Sequence, residues 1–497
     1  MGAAAGQGAG AVPRGRVAPA PLRSYIPAMP EPAEPATTVV VAGASGFLGR
    51  ALAPRLAGRH RLVGLSRGKR SGDGYDAWRA CDLFSLKDAE EGLEGATHAV
   101  YLVHSMMPSA RLVQGSFEDL DLICADNFAR AAKKAKVRQI IYLGGLIPDV
   151  VRLSKHLQSR LEVETTLGGH GVPVTTLRAG LVIGAGGSSF QMMLRLVRRL
   201  PVMVCPSWTM TKCQPIARDD VVALVDHCLG RASSFGQTYD IGGPDVLTYR
   251  DMMRQTAEVL GVERPMLPVP VLSPGLSRLW VSTITGAPKE LVAPLIESLA
   301  HSMIAGDRRL QEEAGVPGLS LRASLALALD EETRTEGLAA RRALVREAPR
   351  PVSPAASAVV RSVQRLPLPP HRDAAWVAAE YMRWLPRGLR PLLRVEVDEA
   401  RFCRFYLRPL RTPLLELTFS AGRSAPDRQL FYITGGLLAT QGGRGRLEFR
   451  ETPDGHSVLS AIHDYRPRLP WLIYAASQAV FHLGVMRAFG RHLSHSK

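Results

Sequence analysis

Cysteine is scarce in this chain, and its spacing pairs none of it. Cys81, Cys124, Cys205, Cys213, Cys228 and Cys403 form no C-x-x-C and have no histidine pair nearby. Zinc ligation and disulfide frameworks both need such spacing, so no metal site is expected. The thiols read instead as small buried apolar side chains of a protein in a reducing, cytoplasmic setting. Long hydrophobic runs are missing too. The longest uncharged apolar stretch, Trp471 to Met486, is shorter than the ~20 residues a spanning helix needs. A buried helix is expected there. The alternative is peripheral contact with the inner face of a membrane, helped by Arg487, Arg491 and His492. Met1 to Ala36 is Gly, Ala and Pro with scattered Arg and has no apolar signal core, which predicts a disordered tail.

Acidic residues are in deficit: 45 Asp and Glu face 62 Lys and Arg, for a net charge of +17. Nucleic-acid binding would gather that excess on one face. Here the arginines are scattered among Ala, Gly and Pro, and no helix collects them, so no nucleic-acid partner is expected. At 497 residues, 46% hydrophobic and 22% charged, the chain has the size and balance of two folded domains.

The informative pattern begins at Thr37. Thr37 to Ala42 is a short β-branched run, apolar as a strand covered on both faces must be. Similar runs recur at His60 to Leu65, Ala99 to Val103, Gln139 to Leu143 and Val174 to Ile183, with helical stretches such as Phe117 to Ala135 between them. This alternation predicts an α/β, doubly wound parallel sheet of the Rossmann type over 37–330. Pro54 breaks the local rule by sitting inside the first helix. Helices at Thr248 to Leu260, Glu290 to Met303 and Ser320 to Leu329 add a small substrate lobe. Its Met192, Met193, Met203, Trp208 and Met210 fit either an adaptable apolar cleft or plain core packing.

Residues 331–357, rich in Arg, Ala and Pro, read as a linker. Beyond it, 358–497 reads as an α+β domain. Its strands are expected at Val359 to Leu366, Leu392 to Val397, Leu414 to Phe419, Gln429 to Ile433, Gly445 to Arg450 and Ser457 to Tyr465. Helices are expected around Ala374 to Trp384 and Leu469 to Leu493, and Pro453-Asp454-Gly455 marks a hairpin. The order suggests an antiparallel sheet wrapped on a long helix, either closed around a lipid-like ligand or simply packed.

Gly43-Ala44-Ser45-Gly46-Phe47-Leu48-Gly49 follows the first strand and opens a helix. Its glycines let backbone N–H groups approach a pyrophosphate at the positive end of the helix. Sites for NADH place an acid about 20 residues on, at the end of the second strand. That strand instead ends Leu65-Ser66-Arg67-Gly68-Lys69-Arg70, so Ser66 and Arg67 are candidates for a 2′-phosphate and NADPH is expected rather than NADH. Asp82, before Leu83, is a candidate partner of the adenine amino group. Val103, His104 and Ser105 fall at the carboxyl edge of the sheet, where ligands bind.

These residues resemble the short-chain dehydrogenase/reductase superfamily, in particular its atypical NmrA-like members. Leu177-Arg178-Ala179-Gly180-Leu181-Val182-Ile183-Gly184 is similar to the family's L-R-P-x-x-V-x-G segment. Pro215-Ile216-Ala217-Arg218-Asp219-Asp220-Val221-Val222 is similar to its D-D-V segment. The resemblance covers Thr37 to Leu329, and the layout with a second domain is similar to bacterial proteins of the YbjT type. Their C-terminal part resembles a helix-grip, START-like fold.

The resemblance implies a Y-x-x-S-K-x-x-x-E helix with Tyr as acid and Lys lowering its pKa. Here that helix reads His156-Leu157-Gln158-Ser159-Arg160-Leu161-Glu162-Val163-Glu164, and Gly144-Gly145 replaces the usual serine. His156 and Arg160 lie one turn apart on one face, as an acid–base residue and a ribose-holding cation would. The other reading makes both surface residues. Two functions remain open. One is an NADPH-dependent oxidoreductase acting on an apolar carbonyl or quinone-like substrate. The other is a non-catalytic NADPH-binding redox sensor or assembly factor.

Overall fold

The computed structural model describes residues 37–104, 112–151, 153–269, 282–284, 297–343, 359–440 and 443–496. The expected tail over 1–36, Ser105, the first half (290–296) of the helix expected from Glu290 and the linker residues 344–357 lie outside them.

The first half contains β1 (Thr38–Ala42), α1 (Phe47–Leu56), β2 (Arg61–Ser66), β3 (Ala77–Ala80), α2 (Leu86–Gly92), β4 (His98–Tyr101), β5 (Leu112–Gln114), α3 (Phe117–Lys134), β6 (Gln139–Gly145), α4 (Lys155–Gly168) and β7 (Val174–Ala179). The smaller lobe adds β8 (Val182–Ile183), α5 (Ser188–Arg199), β9 (Met203–Pro206), β10 (Lys212–Cys213), β11 (Ile216–Ala217), α6 (Arg218–Cys228), β12 (Thr238–Ile241), β13 (Leu247–Thr248), α7 (Tyr249–Val259), β14 (Met266–Val269), α8 (Arg309–Glu313) and α9 (Leu321–Ala343).

Seven strands form one parallel sheet in the order β12-β7-β6-β4-β1-β2-β3. The order reverses beside β1, so the carboxyl ends of β1 and β4 open a crevice at the point where ligands bind in such sheets. Val39, Val40 and Val41 of β1 are buried, because helices cover both faces. Serines cap α2, α3 and α4, each accepting from a backbone N–H in the first turn. Pro54 is accommodated near the end of α1, which runs on to Leu56.

Two expectations for the lobe need correcting. The run Val174 to Ile183 is two strands, broken at Gly180. The helix expected to end at Leu329 continues to Ala343 as α9, through half of the expected linker. Its Glu, Arg and Ala content favours a helix, and Glu331 pairs with Arg218 at 2.9 Å. Met193 and Met203 pack in a core with Phe190 and Leu194, Trp208 lies against it, and Met210 is exposed. These side chains build the lobe; they do not line the dinucleotide cleft described below.

The C-terminal half contains β15 (Val360–Pro367), α10 (Ala374–Gly388), β16 (Leu393–Val397), β17 (Cys403–Leu407), β18 (Leu415–Phe419), β19 (Arg428–Gly435), β20 (Arg446–Glu451), β21 (Ser457–Tyr465), α11 (Trp471–Ala476) and α12 (Gln478–His495). Its sheet runs β16-β17-β18-β19-β20-β21-β15-β5. Strands from this half pair antiparallel, while β5, from the first half, joins the edge parallel to β15. Strand β17 is missing from the sequence-based expectation because arginines flank and interrupt it.

One face of this sheet buries Val360, Leu366, Phe431 and Phe449 under α10 and α12. The other adds Val363, Leu459 and Ala461 to the core around α3, so Thr37–Lys497 form a single unit. The stretch Trp471 to Met486 is only partly buried, contrary to expectation. It breaks at Ser477, and Leu472, Ile473, Val480 and Phe481 are exposed because the sheet covers only one face of it. Among the described residues no helix is long and apolar enough to cross a membrane.

Arginines of the C-terminal sheet pair with acids of both halves. Arg450 is buried on Asp126 at 2.6 Å and on Asn127 Oδ1 at 2.6 Å. Arg365 grips Asp119 at 2.7 Å and both oxygens of Glu162 at 3.0 Å. Arg428 forks onto the two oxygens of Glu448 at 3.0 Å each. Burial alone would raise the Asp126 and Glu448 carboxyls. The adjoining arginines outweigh it and hold both far below the usual carboxylate range.

Candidate dinucleotide site

The turn after β1 has room only for glycine at its tightest points. A Cβ on Gly49 would lie 2.5 Å from the carbonyl oxygens of both Gly43 and Ala44. Gly43 has φ +86°, and a Cβ there would lie 2.9 Å from Leu102 O. Gly46 N–H donates to Gly43 O at 2.9 Å, and Arg50 Nη1 donates to Ser45 O at 2.7 Å. Gly46 caps α1 without a side-chain bond, so the first N–H groups, at Phe47, Leu48 and Gly49, keep their capacity for an anion. Phe47 and Leu48 contribute backbone only; their side chains pack against Arg218 and the sheet core.

A cleft of about 360 Å³ opens above this turn. It brings together Gly43, Ser45, Gly46, Ser66, Arg67, Asp82, Leu83, Val103 and His104 from four separate strand ends. Arg67 is exposed and has no ion-pair partner among the described residues, whereas nearby Arg70 is engaged with Asp73 at 3.7 Å. The cradle fits the pyrophosphate of a dinucleotide.

Asp82 is more constrained than expected. Its carboxylate is bonded by Arg361 of β15, whose guanidinium also lies 4.2 Å from the Phe84 ring centroid. An adenine amino group would share Asp82 with that arginine. Phe84, Cys81 and Cys124 also line the cleft and are absent from the sequence-based set.

His156 and Arg160 sit on one face of α4, and both side chains make contacts within the fold. Arg160 is buried and donates from Nη2 to Asp121 Oδ2 at 2.6 Å, so its guanidinium points to α3, while its Nε has no partner among the described residues. His156 Nδ1 lies 3.3 Å from Ser298 Oγ. Burial, with help from His104 and Arg160, pushes its imidazole down to about 3, so it is neutral at pH 7 and no imidazolium donor.

The residue that emerges instead is His104. Its Nδ1 lies 2.7 Å from Asp121 Oδ2, its ring is 5.3 Å from that of His156, and its Nε2 is buried with no partner among the described residues. Burial and Arg160 lower its pKa, and Asp121 pulls the other way. Asp121 itself is missing from the sequence-based set. Its one signal is an acid set among the apolar residues of Leu120-Asp121-Leu122-Ile123.

The auxiliary protein GraX of Staphylococcus aureus is 32% identical over 143 residues, which is 28% of this chain. The chain spans 42% of that relative's length. A nucleoside-diphosphate-sugar epimerase structure from Staphylococcus aureus aligns over 58% of this chain and 100% of its own, at 16% identity and a TM-score of 0.48. An NADPH-dependent quinone oxidoreductase from Escherichia coli, complexed with NADPH, aligns over 58% and 98%, at 18% identity and a TM-score of 0.47. On a Rossmann-type parallel sheet, residues 39–152 match the NAD dependent epimerase/dehydratase family.

Proposed function

We propose that the chain is an NADPH-dependent oxidoreductase for an apolar carbonyl or quinone-like substrate, with His104 as its acid–base residue. The observation that carries this reading is the orphaned His104 Nε2 in the wall of the dinucleotide cleft, on a ring whose other nitrogen is fixed by Asp121. The glycine turn would hold the pyrophosphate, and Ser66 with Arg67 the 2′-phosphate. When bound, the dinucleotide supplies reducing equivalents to the substrate. His104 Nε2 accepts a proton at neutral pH and donates one once the ring is protonated. Reduction is therefore expected to quicken as pH falls below the usual histidine range.

A second reading, a non-catalytic NADPH-binding sensor or assembly factor, is favoured by the engagement of His156 and Arg160 within the fold. One preparation separates the two. Calorimetry with NADPH and NADH is followed by NADPH oxidation against quinones and aldehydes, using wild type, His104→Ala and His156→Ala. Turnover lost only in His104→Ala supports the enzyme. Tight binding with no turnover in wild type supports the sensor, and failure to bind either dinucleotide removes both.

A further inference from the structure

The C-terminal sheet, α10, α11 and α12 enclose a second cavity of about 160 Å³, on the face away from the dinucleotide unit. Leu385, Phe405, Leu417, Ile433, Leu447 and Val485 supply much of its wall, and among the described residues no Asp, Glu, Lys or Arg lines it. Phe481 lines it while remaining 57% exposed, which places the mouth beside the exposed Leu472 and Ile473.

Among the polar groups of this wall, two buried atoms have no partner among the described residues. Ser362 is 2% exposed and its Oγ has no partner among the described residues. Gln478 Oε1 is also buried without a partner, although Gln478 Nε2 donates to Tyr465 OH at 2.8 Å. An unpaired buried polar group costs roughly 1–3 kcal/mol, so two in one cavity call for a ligand that bonds them. Gln478 Oε1 only accepts, and the ligand must therefore bring a donor. A cationic donor would need a carboxylate, and none is present. An anionic ligand would need a cation, and burial holds the lining His482 down at about 4, so it is neutral. An apolar cavity of roughly 150 Å³ takes a benzene-sized ring.

We propose that this cavity binds an uncharged, ring-sized hydroxyl compound, a phenol or cyclic alcohol, whose hydroxyl donates to Gln478 Oε1 and accepts from Ser362 Oγ while its body packs on Phe405, Leu417 and Leu447. The inference is independent of the dinucleotide reading.

The test is calorimetry on the full chain at pH 7.5 with p-cresol, toluene and benzoate, followed by a crystal structure with p-cresol. The expected result is that p-cresol binds at least tenfold tighter than toluene and that benzoate is not bound. Gln478→Leu should keep the affinity for toluene and lose that tenfold preference. If Gln478→Leu does not fold, Ser362→Ala serves, with the preference for p-cresol reduced. Absence of p-cresol binding, equal affinity for p-cresol and toluene, binding of benzoate, a preference that survives the substitution, or a cavity holding only water would each overturn the proposal.

Discussion

His104 and Arg160, on different elements, bond the same oxygen: Asp121 Oδ2 lies 2.7 Å from His104 Nδ1 and 2.6 Å from the Arg160 guanidinium. The carboxylate fixes the ring that faces the cleft, while the guanidinium opposes protonation of that ring. Asp121→Asn would leave Arg160 buried without its counter-charge, a loss of about 3–5 kcal/mol. Urea unfolding is the measure. The paired change Asp121→Leu with Arg160→Met should cost less than Asp121→Asn alone, and a larger cost would contradict this account.

Gly49→Ala tests the pyrophosphate cradle. Its Cβ would collide with two backbone oxygens at 2.5 Å, neither on a flexible side chain, so the turn must open. Dinucleotide binding is expected to fall beyond calorimetric detection, while Gly484→Ala, also in a helix but with nothing near its Cβ, controls for the added methyl group.

Arg67→Ala tests cofactor choice. A charge-assisted bond to a 2′-phosphate is worth about 1.5–3 kcal/mol, so NADPH affinity should drop roughly 10- to 100-fold by that measure. Affinity for NADH should hold. An equal loss for both cofactors would place Arg67 elsewhere in the site.

The buried histidines predict a pH dependence of stability. In the fold His98 and His482 titrate at about 4, and His156 and His463 at about 3, each lowered mainly by burial. The unfolded chain takes up protons near pH 6.5. Above that pH the four groups contribute nothing. As pH falls from 6.5 toward 4, stability is lost, by up to about 1.4 kcal/mol per pH unit for each histidine. Asp220 and Glu451, raised by burial, work in the opposite direction and soften the slope. Tm should decline from pH 7 to 5, less steeply in His98→Gln, and a flat profile would refute the assignment.

The parts of the molecule that were legible in the sequence are those specified locally. The run Thr37 to Ala42 and the glycines after it fix strand, turn and helix within a dozen neighbouring residues, and the hairpin at Pro453-Asp454-Gly455 is equally local. What stayed hidden depends on distant partners. Nothing near Asp82 announces Arg361, 279 residues away. Asp121 reads as one more polar helix position until α4 brings Arg160 to it. His156 reads as a titrating surface imidazole, because burial is a property of packing and not of spacing.

The parallel pairing of β5 with β15 has a consequence for synthesis. Gln364 bonds the backbone of Gln114 from 250 positions further along. At about 5–20 residues per second, a ribosome delivers the first of these segments roughly 10–50 seconds before its partner exists. Leu112 to Gln114 must therefore leave the tunnel and wait without their sheet. The dinucleotide half can condense early, but its surface is finished only when the last third of the polypeptide arrives.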